Sequence, residues 1–280
     1  MNPSEKHTLE IDSVELSFGD RRILSGVYLA VETGGVSAVL GRNGCGKSCL
    51  MKILCGSLRA GFRSMRIDGV WHDRFRADEV RYLPQQGFIP GWLTLDRVLR
   101  DYDMTRGDLL KWFPLFEKLF GTKMYAMSGG ERRILECYLI LRSPTRFVLL
   151  DEPFSQVAPL HVSALKRLIL QERASKGILL TDHMHRHVTD IADRLYVLAD
   201  GQTHLVCGGE FAPGGIDGGD GLAFDFHGSP GQVNAGGDDA CVFNECFHKN
   251  EWLVDGFLES LDDEYGVCLL YTSDAADDLI

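Results

Sequence analysis

Long apolar runs are missing from this 280-residue chain: none approaches the roughly 18 residues that a membrane-crossing helix requires. The opening Met1-Asn2-Pro3-Ser4-Glu5-Lys6-His7 likewise has no apolar stretch of the kind a secretion signal carries, so a cytoplasmic chain is expected. Paired cysteines are missing too. The eight cysteines are scattered, without the spacing of a disulfide framework or a zinc ribbon, which fits a reducing compartment. Positive charge is scarce after residue 208. Residues 1–208 hold 28 Lys and Arg against 24 Asp and Glu, a balance of +4, whereas residues 209–280 hold 1 against 16, a balance of −15. The formal charge of −11 therefore averages two unlike parts. The first has no basic cluster, so direct nucleic-acid binding is not expected. The second holds 12 of the 31 glycines and little apolar periodicity, so no packed domain is expected there.

What is present is organised around Gly41-Arg42-Asn43-Gly44-Cys45-Gly46-Lys47-Ser48, which fills the pattern G-x-x-x-x-G-K-[ST] after the apolar run Val36–Leu40. A strand enters the turn and a helix leaves it. Glycines let successive N–H groups point inward, and the helix adds the positive end of its dipole, so the turn forms a nest for phosphate oxygens. Lys47 then reaches the β- and γ-phosphates, and Ser48 offers its hydroxyl to Mg²⁺.

Upstream, Leu9, Ile11, Val14, Leu16 and Phe18 mark a β-rich stretch, and Val27, Leu29 and Val31 alternate before the turn Glu32–Gly35. Phe18 is equally placed to be core or to stack on a base. Downstream, Leu50, Met51, Leu54 and Leu58 predict a helix over 47–58. Tyr82-Leu83-Pro84-Gln85-Gln86 adjoins a short strand, Thr94 caps a helix over 95–102, and Leu109 to Phe120 read as an aromatic helical segment.

Ser128-Gly129-Gly130-Glu131 has the S-x-x-E spacing of a capping box. Two glycines at a helix start cost stability unless something must approach the bare backbone, and an anion is the favoured occupant. Arg146 to Asp151 form a buried strand ending in the carboxylates Asp151 and Glu152, with Pro153 behind them. Asp151 is placed to hold Mg²⁺ through water, and Glu152 to take a proton from an attacking water. A further strand, Gly177–Leu180, delivers Thr181-Asp182-His183; the alternation of His183, His185 and His187 lacks the Cys or Glu of a metal site, so a polar switch is preferred.

Taken in order, these motifs resemble the ATP-binding cassette (ABC) family over residues 8–207. The resemblance implies an α/β P-loop NTPase fold: a RecA-like parallel sheet core, an antiparallel N-terminal β-part and a helical subdomain at about residues 88–144. It also implies ATP and Mg²⁺. Phe18 then stacks on adenine, while Gly41, Asn43, Gly44, Cys45, Gly46, Lys47, Ser48 and Cys49 surround the phosphates. Gln85 matches the glutamine that touches Mg²⁺, with Gln86 as the alternative. Ser48, Gln85 and Asp151 make up the metal set, and Glu152, Lys47, His183 and Gln85 the catalytic set. Met127-Ser128-Gly129-Gly130-Glu131 matches the family signature LSGGE, which in a head-to-tail dimer closes over the ATP of the opposite protomer. One departure is Ala158, where the family usually has Asp. The stretch from Asp151 to Gly201 is similar to ATPases of lipopolysaccharide-export and branched-chain amino-acid systems.

The resemblance therefore implies a Mg-dependent ATPase that energises a transporter. Its partners are itself or a second cassette, and separate transmembrane permease subunits that hold it at the inner face of the membrane. A soluble cassette acting on ribosomes or DNA, or a low-turnover nucleotide-binding regulator, stands as the alternative. The expected division is 1–208 for the ATPase domain, 209–267 for a Gly-rich acidic tail that is disordered or frameshifted, and 268–280, where Cys268 to Asp277 look like a translated sequencing adaptor.

Overall fold

Two sheets with different strand order build the part of the chain that carries the motifs. The computed structural model describes residues 6–182, 185–207 and the segments 222–225 and 229–232. It separates into one unit over Met1–Glu210 and another over Phe211–Ile280.

In the first unit, β1 (Thr8–Phe18) pairs antiparallel with β2 (Arg21–Glu32). After β3 (Val36–Leu40) and α1 (Lys47–Leu54), β4 (Phe62–Ile67) and β5 (Val70–Trp71) complete an antiparallel sheet of order β2-β1-β4-β5. The buried residues of β1 change parity, from Leu9 and Ile11 to Val14 and Leu16. A register shift between Ile11 and Val14 carries that change, with Ser13 at φ 53°. An extra residue flips every later side chain to the opposite face, so the irregularity keeps both halves of the strand turned to the core.

The second sheet is the parallel core. Chain order continues with β6 (Val80–Leu83), α2 (Leu95–Asp101), α3 (Arg106–Trp112), α4 (Gly129–Leu141), β7 (Phe147–Asp151) and α5 (Pro159–Glu172). It ends with β8 (Gly177–Thr181), α6 (His185–Thr189), β9 (Arg194–Ala199) and β10 (Gln202–Cys207). The sheet order is β10-β9-β3-β8-β7-β6, parallel except for the β10 edge. Every residue of β3, β7 and β8 is buried, as parallel strands covered on both faces require. Their carboxyl ends lie side by side and release the phosphate loop, the Asp151-Glu152 pair and Thr181-Asp182, where ligands bind in open parallel sheets.

Two helix expectations are corrected. The helix after the phosphate loop stops at Leu54 instead of Leu58, because Gly56, at φ 75°, turns its N–H back onto the Ile53 carbonyl. Leu58 still packs against the core, from beyond the helix. The aromatic segment is not one helix either. Phe113 leaves helical geometry and Pro114 opens a separate 3₁₀ stretch, Pro114–Leu119, as expected where proline removes a donor and constrains the residue before it. Thr94 caps its helix as read, accepting from the Arg97 N–H at 3.3 Å.

The other unit contains a hairpin of β11 (Leu222–Asp225) and β12 (Ser229–Gln232). The expectations for the remaining tail, including the adaptor-like end, fall outside the described residues.

Phe113 holds the helical part together, joining the end of α3 to α4. It is buried and meets Phe116 and Tyr138 edge-on, with centroids 6.4 and 6.3 Å apart. Phe113→Ala removes both contacts and leaves a cavity, so a loss of about 3–5 kcal/mol is expected, read as a fall in the urea midpoint of the full chain. A change under about 1 kcal/mol would mean that the site collapses without cost.

Candidate active site

The phosphate loop is shaped by steric needs that can be named residue by residue. At Gly41 a Cβ would stand 2.6 Å from the Leu198 carbonyl oxygen and 2.8 Å from the Cys45 Sγ. Gly46, at φ 115°, would press a Cβ to 3.0 Å from Ile23 and Leu24, and Gly44 sits at φ 81°. The loop therefore closes only with glycine at these places. Asn43 is exposed, and Cys45 and Cys49 are half-buried. Burial, the largest influence, pushes the Cys49 thiol up. Lys47 is only 6% exposed and turns its ammonium into the loop, donating to the carbonyls of Gly41 (2.5 Å) and Arg42 (3.0 Å).

Asp151 lies under this loop, buried at the end of β7. Three hydroxyls hold its carboxylate: Ser48 (3.2 Å) and Thr181 (2.7 Å) donate to Oδ1, and Tyr82 (3.1 Å) to Oδ2. Burial and then the adjoining carboxylate push the Tyr82 phenol far up, so it stays a donor. Neither Tyr82 nor Thr181 is among the residues expected from the motifs. Tyr82 reaches Asp151 because β6 pairs with β7 in parallel, a long-range pairing that no local pattern announces.

Glu152 follows with φ at 52°, a left-handed conformation costly for a residue with a Cβ. The turn is held from two sides. The Glu152 N–H donates to the Thr181 carbonyl (2.9 Å), and its carboxylate accepts from Gln85 Nε2 (2.9 Å). The third hold is Arg133, 5% exposed on α4. Its guanidinium donates to the carbonyls of Pro84 (2.6 Å), Asp151 and Glu152 (3.0 Å), and lies 3.8 Å from buried Glu136. Glu136 in turn accepts from the N–H groups of Phe88 (3.0 Å) and Ile89 (3.4 Å), and burial pushes its carboxyl up. Gln85, Asp151, Glu152 and the helix behind Ser128 are thus fixed to one another through two side chains that motif spacing does not flag.

Ser128 caps α4 as read from the sequence. Its Oγ accepts from the Glu131 N–H (3.2 Å) while the Glu131 carboxylate accepts from the Ser128 N–H (2.7 Å). The two glycines have a reason within the chain itself: a Cβ on Gly130 would run into the Gln156 carbonyl oxygen, and one on Gly129 into the Gln156 carboxamide. Gln156 has φ 62° and holds the loop after Glu152 against the helix start. Ala158, the first residue before α5, supplies no side-chain cap, and Pro159 opens the helix. Phe18 is 53% exposed at the end of β1, which rules out the core reading and leaves its ring open for stacking. His183 lies outside the described residues. His187 packs edge-on against Phe154 at 5.5 Å, and burial lowers its affinity for a proton.

Arg133→Leu strips donors from three carbonyls and leaves Glu136 buried without its cation. Breaking such a pair typically costs about 3–5 kcal/mol, and urea unfolding is expected to show a loss of that size. An unchanged midpoint would mean that those carbonyls find other donors.

Comparison with known proteins shows the family and the fold. The ABC transporter family model matches residues 24–155. The lipopolysaccharide export system ATP-binding protein LptB of Haemophilus influenzae is 32% identical over 212 residues, covering 69% of this chain and 88% of that protein. The high-affinity branched-chain amino acid transport ATP-binding protein BraG of Pseudomonas aeruginosa is 28% identical over 209 residues, covering 69% and 90%. Among solved structures, an ATP binding subunit of an ABC transporter superposes with a TM-score of 0.61 at 23% identity, covering 70% of this chain and 87% of that one. At that identity the superposition speaks for the fold.

Proposed function

This chain belongs to the ABC transporter family of ATP-binding subunits, and from that premise we propose how it binds and hydrolyses ATP to energise a membrane transporter. The observation that carries the proposal is the meeting of Ser48 with Asp151 and of Gln85 with Glu152 at the carboxyl edge of one parallel sheet. Lys47 is the phosphate ligand: its ammonium needs only to exchange the Gly41 and Arg42 carbonyls for phosphate oxygens. Glu152 takes the proton of the attacking water, and the Gln85 amide fixes the orientation of its carboxylate.

The residues present fit Mg²⁺. This ion favours one or two carboxylates beside substrate phosphates and water, which matches the hydroxyl–carboxylate pair of Ser48 and Asp151. When bound it would neutralise charge building on the transferred phosphoryl group. Tyr82 and Thr181 keep Asp151 aimed at that position.

Two further surfaces are part of this reading. The start of α4, where Ser128 is exposed and Gly129, Gly130 and Glu131 are half-buried, receives the ATP of a second protomer in a head-to-tail dimer. Ala158 weakens that arrangement in one respect, since it neither caps α5 nor offers the carboxylate the family usually has there. The permease docks at a small cleft lined by Phe88, Ile89, Pro90, Leu93, Val98 and Tyr102, beside Trp92, which is 69% exposed. Glu136 anchors the backbone at Phe88, so displacement of this cleft is carried to Gln85 three residues away. Among the described residues no helix is long and apolar enough to cross a membrane. The transmembrane part is assigned to separate subunits, with this chain at the inner face.

Glu152→Gln keeps the shape of the side chain but cannot accept a proton, so turnover is expected to fall about 10²–10⁴-fold while ATP still binds. Light scattering after size exclusion is then expected to show a dimer with ATP, and Ser128→Arg to abolish it. Native turnover by Glu152→Gln would remove Glu152 as the base, and a monomer with bound ATP would remove the head-to-tail dimer of the isolated chain.

The ATPase unit is assigned to residues 1–208, with the break in charge and patterning as support. Truncation after Gly208 is expected to leave ATP turnover unchanged, and a marked loss would move the boundary.

A further inference from the structure

A cleft of about 440 Å³ lies between α3, the end of α4 and the second half of α5, lined by Asp108, Lys111, Trp112, Arg142, Arg167 and Gln171. None of these residues belongs to the nucleotide site. Ser128 caps the start of α4 and Arg142 its end, which at 1.5 Å per residue over 13 residues sets the two about 20 Å apart.

The charges of the cleft do not cancel. Lys111 and Asp108 neutralise each other at 2.9 Å. The Glu172 carboxylate is shared by two cations, Arg142 at 2.6 Å and Lys176 at 2.7 Å, which leaves one positive charge in surplus. Arg167 is exposed on α5, and among the described residues no carboxylate pairs with it, which adds a second. Two guanidinium groups from different helices therefore border the same space. Each presents the planar fork that matches phosphate or carboxylate oxygens. Trp112, half-buried at the end of α3, supplies an aromatic surface beside them, and Gln171 a donor and an acceptor.

We propose that this cleft is a second ligand site, for a small phosphate monoester carrying a flat ring, with Arg142 and Arg167 on the dianion and Trp112 against the ring. The volume lies within the range of small-molecule sites, about 300–1,000 Å³. A ligand held there ties α3, in the helical part, to α4 and α5, whose first residues are Gly129 and Pro159 beside the catalytic loops. The site is independent of the assignment of Glu152 and Lys47, so it stands or falls by itself.

Phenyl phosphate is the probe, titrated into the full chain while tryptophan fluorescence is read. A saturable change is expected, absent in Trp112→Phe and retained in Lys47→Ala. Arg167→Ala alters only an exposed side chain, so it is expected to fold normally and to weaken binding about tenfold or more, the usual worth of a charge-assisted hydrogen bond. Inorganic phosphate and phenol, each carrying half of the recognition, are expected to bind more weakly than phenyl phosphate. The proposal is overturned by a response that stays linear to about 10 mM, by unchanged affinity in Arg167→Ala, or by loss of the response in Lys47→Ala, which would place the probe in the phosphate loop.

Discussion

Arg133 is the constraint on which the rest of the site depends. A buried guanidinium must find a partner for each of its N–H groups. Here they are the carbonyls of Pro84, Asp151 and Glu152, all at strand ends that leave the sheet. Loops that turn away from a sheet leave carbonyls without ladder partners, and one planar donor on α4 satisfies several at once. The left-handed turn at Glu152 is held by this arrangement. Glu136, one turn further along α4, offsets the charge and anchors the backbone at Phe88 and Ile89. The helix capped by Ser128 is consequently coupled to Glu152, to the strand end before Gln85 and to the cleft assigned to the permease, in addition to the direct contacts of Ser48 with Asp151 and of Gln85 with Glu152.

Asp151 shows the same economy on the other side of the sheet edge. A carboxylate this deeply buried is costly unless its oxygens are satisfied, and three hydroxyls from β6, α1 and β8 do so without adding charge. These donors are neutral, and among the described residues no ion pair reaches its carboxylate, which is the condition a divalent ion needs. Lys47 is held by loop carbonyls, and Arg133 by the Asp151 main-chain carbonyl rather than its carboxylate.

The one departure from the family pattern, Ala158, lies in the same loop as Gln156. Gln156 fills the space that Gly129 and Gly130 leave, and Ala158 gives up the cap of α5. The glycines of the signature therefore serve packing within the chain, since a Cβ on either would run into Gln156. The capping box at Ser128 keeps the helix start regular despite the two glycines.

The local chemistry is legible in short stretches: the glycine turn before Lys47, the cap at Ser128, the capped helix after Thr94 and the mostly apolar strands that end at Leu40 and Asp151. Each is a property of a few adjacent residues, so a short stretch suffices to read it. Tertiary structure decided what no short stretch contains. Parallel pairing brought Tyr82 to Asp151 and β8 to β7, because crossover connections place strands far apart in sequence side by side. Burial placed Arg133 and Glu136 behind the Glu152 turn, where no motif spacing marks them. The end of α1 at Leu54 and the break at Phe113 likewise turned on Gly56 and Pro114, single backbone positions that outweigh an apolar stripe because geometry there forbids the next helical bond.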